Sequence, residues 1–204
     1  MNRRAMMKQL FLPLAAALAL AGCDASTTAD NSTAQAPLAD ARIGGPFTLI
    51  DKDGKTVRWS DFDGRYRIVY FGYTYCPDVC PFDMQKLMQG FALFAKQHPD
   101  LADQVQPMFI SIDPERDTPE VVGEFTGAFS DRLLGLTGTP EQVDAAAKAF
   151  SVYYAKGDVS PGGGYLMDHS RGTYLMGRKG EPIALVPVDA GPEAVAAELA
   201  RWIH

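Results

Sequence analysis

The chain has 204 residues, with 19 Lys and Arg against 25 Asp and Glu and a formal net charge of −6 at pH 7. A chain of that sign repels a phosphate backbone, which sets nucleic-acid binding aside. The length suits one domain of ordinary size beyond an N-terminal leader, and there are no internal repeats.

Residues 1–22 read as a lipoprotein signal peptide. Met1–Lys8 is short and basic, and Leu10–Ala21 is apolar and uncharged. That run is too short to cross a membrane as a mature helix but suits a signal-peptide core. Leu20-Ala21-Gly22-Cys23 resembles the bacterial lipobox, whose Cys is acylated and becomes the first mature residue. Cys23 is therefore the expected lipidation site. Each buried methylene of the lipid adds about 0.8 kcal/mol, and several chains make attachment stable. Asp24 resembles a signal for retention in the inner membrane, so the expected location is the periplasmic face of the bacterial inner membrane. The leader's charges are Arg3, Arg4 and Lys8, so the mature chain carries 16 basic and 25 acidic residues, or −9. Residues 23–41 are Ser, Thr, Ala, Asp and Gln with almost no large apolar side chain. They read as a lipidated flexible tether, and residues 42–204 as the folded domain.

The domain opens with a β-hairpin: Pro46–Ile50, a turn at Asp51-Lys52-Asp53-Gly54, then Lys55–Trp59. Tyr66–Phe71 is an apolar run that reads as a buried strand. An amphipathic helix is expected from about Phe82 to Gln97, with Met84, Leu87, Met88, Phe91 and Ala95 on one face. Val105–Ile112 is the next strand. Thr118 and Thr139 each precede Pro, which predicts N-caps of helices reaching about Phe129 and Phe150. Leu133–Thr137 is a short strand, and Val152–Ala155 is extended. A glycine-rich loop covers Asp158–Gly164. Leu166–His169 leads into a strand ending at Met176, Pro182–Val188 returns antiparallel, and a last helix runs from Pro192 to about Ile203. The order predicts an α/β domain of the thioredoxin type: a central mixed sheet flanked by helices, with an N-terminal β-hairpin and an insertion.

The chemistry concentrates between the buried strand and the first helix, at Cys76-Pro77-Asp78-Val79-Cys80-Pro81. With Cys23 lipidated, Cys76 and Cys80 are an even pair in an oxidising compartment. A helix N-terminus favours thiolate, the form that both attacks disulfides and binds soft metals. Residues four apart on a regular helix hold their Cβ atoms about 5–6 Å apart, whereas a disulfide needs about 3.5–4.5 Å. The spacing therefore strains a disulfide unless Cys76 lies in the turn before the helix, and it suits two thiolates facing one metal ion. Of the three histidines, His98 ends a helix and His204 ends the chain. His169 falls where a thioredoxin-like fold brings a loop towards the thiols, and Asp168 before it is able to orient its ring.

At Gly72–Pro81, Ser111–Pro119 and Asp168-His169-Ser170 the chain resembles the Sco/SenC family of cytochrome c oxidase assembly proteins, in family order across residues 42–204. The resemblance implies copper, Cu(I) or Cu(II), held by Cys76, Cys80 and His169. It also implies delivery of copper to the CuA site of oxidase subunit II, or reduction of that site's thiols. Further expected partners are a copper donor protein and a thioredoxin-like reductase. Tyr75 stands where many members have His, outside the three ligands. The donor types agree, since thiolates select Cu(I) and imidazole also suits Cu(II). Met84 and Met88 fall on the apolar helix face and read as core. Met167 is the thioether nearest His169 in sequence and the candidate axial contact.

Two functions compete: a copper metallochaperone, and a thiol–disulfide oxidoreductase that uses Cys76 and Cys80 as its redox pair. The first needs His169 and the second does not. A thiol peroxidase of the Thr-x-x-Cys type is disfavoured, because Thr74-Tyr75-Cys76 is one residue short.

Overall fold

The computed structural model describes residues 35–204. The leader, Cys23 and the tether as far as residue 34 lie outside the described residues. In chain order the elements are β1 (Thr48–Asp51), β2 (Thr56–Arg58), β3 (Tyr66–Gly72), α1 (Val79–Gln97), the short α2 (Pro99–Ala102), β4 (Val105–Ser111), α3 (Pro119–Gly127), β5 (Leu134–Thr137) and α4 (Pro140–Ala149). They continue with β6 (Tyr154–Lys156), β7 (Met167–His169), β8 (Thr173–Met176), β9 (Pro182–Leu185) and α5 (Pro192–Trp202). No helix among the described residues is long and apolar enough to cross a membrane.

Seven strands form one mixed sheet in the order β2-β1-β5-β4-β3-β8-β9. At its centre β3 runs parallel to β4, in register from Tyr66 opposite Val105 to Gly72 opposite Ser111. Every residue of β3 is buried, and a strand covered on both faces needs a near-continuous apolar sequence. Alternate side chains serve opposite layers. The Tyr70 hydroxyl reaches Asp83 of α1, and Phe109 packs tilted against Phe125 of α3 with ring centroids 4.9 Å apart. Phe71 points the other way, onto Phe150 at the end of α4. Arg67 interrupts the apolar run and is fully buried. Its guanidinium donates to Gly177 O (2.7 Å) and Asp63 Oδ1 (2.9 Å) and lies over the Trp59 ring.

The hairpin forms as expected. Asp51 Oδ1 accepts from the amides of Asp53 and Lys55, both at 2.9 Å, and Gly54 takes φ +73 in the turn. β1 pairs antiparallel with β5, so the hairpin extends the main sheet. Thr118 and Thr139 cap α3 and α4 by accepting from the amides of Val121 and Gln142.

Three features differ from expectation. α1 begins at Val79 rather than near Phe82, because Pro81 falls in the first turn, where an amide has no helical partner to lose. The segment 35–41 does not all behave as tether: Ala36 and Leu38 pack on the core, and the Leu38 amide donates to Ile183 O at 3.0 Å. Finally, Leu166–His169 does not run on into the strand ending at Met176. β7 pairs instead with β6 in a separate two-stranded ribbon, Tyr154 opposite His169, and a turn at 170–172 leads back to β8 in the main sheet.

Candidate metal centre

Cys76 lies in the turn between β3 and α1, and Cys80 is the second residue of α1. The Cys80 amide donates to Cys76 Sγ at 3.4 Å. The geometric objection to a disulfide therefore falls away, because the pair does not sit on one regular helical face. Gly72 explains itself here. A Cβ at that position would lie 2.7 Å from Tyr70 Cε1 and 3.0 Å from Cys80 Sγ, so the buried thiol occupies the space a side chain would need. The turn is tied to the segment after β4: Asp117 accepts from the Thr74 amide (3.0 Å), Thr74 Oγ1 (2.6 Å) and Ser111 Oγ (2.6 Å).

The fold brings His169 to this turn. His169 Nε2 lies 3.6 Å from Cys80 Sγ, and Nδ1 lies 2.9 Å from Ser170 O. A carbonyl only accepts, so Nδ1 carries the hydrogen and a neutral ring keeps its Nε2 lone pair facing the thiol. The Tyr73 ring meets the imidazole edge-on at 6.0 Å. Asp168 does not orient the ring as expected. Neighbours on a strand point to opposite faces, so Asp168 is exposed while Met167 and His169 share the inner face, and Ser170 O makes the orienting contact. Met167 is buried on that inner face, and Met84 and Met88 are core residues. His98 caps α1 away from the thiols with its ring against Phe94, and the carbonyl of His204 accepts from Tyr66 Oη.

The two thiols are electrostatically unlike. Burial pushes Cys80 up to about 12, and the neighbouring Cys76 adds to the rise. Burial also opposes ionisation of Cys76, but the amides of Cys80 and Asp78 point at its sulfur and outweigh it, so its value is lowered. Burial, and then the charge of Arg171, lower His169 below its ordinary 6.5 despite the Ser170 carbonyl. Among the described residues no three Cys, His, Asp or Glu side chains already surround one point at ligating distances. Cys80 adjoins both of the other candidates, its amide 3.4 Å from Cys76 Sγ and its Sγ 3.6 Å from His169 Nε2, so two sulfurs and one nitrogen are neighbours. That donor set fits copper in either oxidation state.

Sequence reasoning missed the groups beneath the thiols. Asp83, 2% exposed, accepts from Tyr70 Oη (3.1 Å) and from Arg171 Nη2 (3.1 and 3.2 Å). One signal was available: Asp83 is a carboxylate three residues after Cys80 on the apolar face of the helix. A second cluster was also missed. Arg116 pairs with Asp113 at 2.6 Å, donates to Tyr165 O at 2.9 Å and lies over the rings of Tyr165 and Tyr75. It joins the segment after β4 to the loop that enters β7.

A family model described as SCO1/SenC matches residues 35–204. The chain belongs to the SCO1/SenC family. Protein SenC of Rhodobacter capsulatus is 48% identical over 161 residues, 78% of this chain and 69% of the relative. The mitochondrial SCO1 homolog of Homo sapiens is 43% identical over 141 residues, 68% of this chain; the match spans only 46% of the human protein. Among solved structures, Bradyrhizobium japonicum ScoI with copper bound has a TM-score of 0.71 at 37% identity, covering 79% of this chain and 99% of that one. The fold of this SCO1/SenC member is thioredoxin-like, as its elements led one to expect.

Proposed function

We propose that this SCO1/SenC member is a copper metallochaperone that holds copper with Cys76, Cys80 and His169 and helps assemble the CuA centre of cytochrome c oxidase subunit II. The observation that carries this reading is the approach of His169 Nε2 to Cys80 Sγ at 3.6 Å across 89 residues of sequence. A redox pair has no need of that imidazole. Copper is cargo here, and as a soft acceptor it is satisfied by thiolates when reduced and gains from imidazole when oxidised. Ser170 O holds the ring with Nε2 free to ligate. Gly72 keeps room for the Cys80 sulfur, and Asp117 holds the turn that carries Cys76. A half-exposed Cys76 leaves the site open to an incoming acceptor ligand. Lipidation of Cys23 would keep the domain at the periplasmic face of the inner membrane, next to its acceptor and a copper donor protein.

The inequality of the thiols favours a second reading, reduction of a disulfide in the CuA site. Cys76 thiolate attacks one sulfur of the partner disulfide, forming a mixed disulfide and releasing one partner thiolate. Cys80 gives its proton to the released partner thiolate, attacks Cys76 Sγ and releases the second thiolate. The partner gains two electrons and the Cys76–Cys80 disulfide forms, to be returned to dithiol by a thioredoxin-like reductase.

Purified reduced domain, loaded with Cu(II) and freed of excess metal, separates the two readings. Wild type is expected to retain one copper per chain and to show thiolate-to-copper absorption. Cys76→Ser and the oxidised disulfide form should lose both, since ligation needs thiolate. His169→Ala should lose or greatly alter the absorption. A His169→Ala spectrum identical to wild type would remove the imidazole from the site and leave the reductase reading.

A further inference from the structure

We propose that Arg171, anchored on Asp83, is a positioning residue that holds His169 against Cys80. The inference rests on the copper reading of Cys76, Cys80 and His169. Asp83 follows Cys80 by three residues on α1 and is 2% exposed. A carboxylate so buried persists only when its oxygens are bonded and its charge is met. Tyr70 Oη donates to Oδ2 at 3.1 Å, and Arg171 Nη2 donates to Oδ1 and Oδ2 at 3.1 and 3.2 Å.

The origin of these partners matters. Tyr70 belongs to β3, which leads to Cys76. Asp83 belongs to α1, which carries Cys80. Arg171 belongs to the turn 170–172, immediately after His169. The three segments that supply the thiols and the imidazole thus converge on one carboxylate, a single helical turn beyond Cys80. Arg171 is two residues from His169, and two residues of extended chain reach at most about 7 Å. Anchoring the guanidinium therefore keeps the backbone that carries the imidazole close to α1, while Ser170 O sets the orientation of the ring. Two further hydrogen bonds, the Ser170 amide to Tyr153 O at 2.9 Å and the Tyr153 amide to Ser170 Oγ at 3.1 Å, tie this turn to the β6 side and not to the thiol helix. Arg171–Asp83 is the ion pair that bridges the turn directly to α1.

A pair that only stabilised the fold would change melting and leave the site as it is. Arg171→Gln tests the difference, and its side chain is 51% exposed, so the variant is expected to fold. Two readouts are needed. In the copper-free protein, proton NMR reads the contact between the His169 ring and the Cys80 methylene. In the copper-loaded protein, a competition titration reads affinity and the visible spectrum reads thiolate-to-copper absorption. Arg171→Gln should lose the His169–Cys80 contact, weaken copper binding about ten- to a hundredfold, as for other groups that orient a ligand, and shift the absorption. Arg171→Lys keeps a cation that can reach Asp83 and should recover part of each. A wild-type contact and a wild-type copper spectrum in Arg171→Gln, whatever its melting temperature, would overturn the proposal. If wild type itself held no copper, the functional reading would fail, and the copper-free NMR contact would still decide the role of Arg171.

Discussion

At the scale of single residues, the candidate site holds two thiols whose surroundings make them unequal. Cys80 is fully buried against Gly72, while Cys76 lies in an open turn under the first amides of a helix. The thiolate is the nucleophile, so reaction rate follows both ionisation and access. Iodoacetamide should therefore modify Cys76 of the reduced, copper-free protein first. In Cys80→Ser the pH at half-maximal rate should fall below the ordinary 9.0. In Cys76→Ser the remaining Cys80 should stay almost inert at neutral pH, since burial is the main cause of its rise. Mass spectrometry of timed aliquots checks both, and faster labelling of Cys80 than of Cys76 would contradict the assignment of roles. Asp168 teaches a related lesson. Its sequence position next to His169 suggested an orienting carboxylate, but strand alternation turns it to the other face.

At the scale of elements, α5 packs closely against α1, the helix that carries Cys80. Gly90 makes that approach possible: a Cβ there would lie 2.5 Å from Val195 and 2.6 Å from Pro192 O. On an isolated helix Ala is better than Gly by about 1 kcal/mol. Overpacking a tight contact costs about 1–3 kcal/mol, and here one of the clashing atoms is backbone, which yields poorly. The steric cost wins, so Gly90→Ala is expected to lower stability by up to about 2 kcal/mol in a urea titration. A gain in stability would show that α5 moves away freely. The segment Ser111–Pro119 acts at the same scale. Its Asp117, held by Ser111 Oγ, accepts from Thr74 in the turn before Cys76, and its Arg116 reaches the loop before β7, so one connection joins both halves of the candidate site.

At the scale of the whole molecule, the proposed leader, lipidated Cys23 and tether would tie the domain to a membrane surface. The expected outcome for Cys23→Ser is release from the membrane fraction and loss of the lipid mass at the N-terminus. A variant that stayed with the membrane, with an N-terminal mass unchanged apart from the substitution, would refute the lipobox reading. The ordered domain starts before residue 42, because Leu38 bonds and packs beside β9. The tether proposed after Cys23 would be correspondingly shorter than the 23–41 expected from composition.

Local chemistry determined much of this protein directly from sequence. The fully buried β3, the Asp-Gly hairpin, the Thr-Pro caps and the amphipathic α1 follow from periodicity, turn conformation and capping, which act over a few residues. The same holds for the thiols at a strand-to-helix junction, because that junction is itself local. Only the tertiary structure decided the rest. His169 could be favoured from composition and family resemblance, but its 3.6 Å approach to Cys80 depends on how the β6–β7 ribbon and the 170–172 turn pack against α1. The pairing of Asp83 with Arg171 joins positions 88 residues apart, and no local pattern encodes which distant cation meets a buried carboxylate. The unequal acidities of Cys76 and Cys80 likewise arise from burial and from the direction of nearby amides, which exist only once the chain has packed.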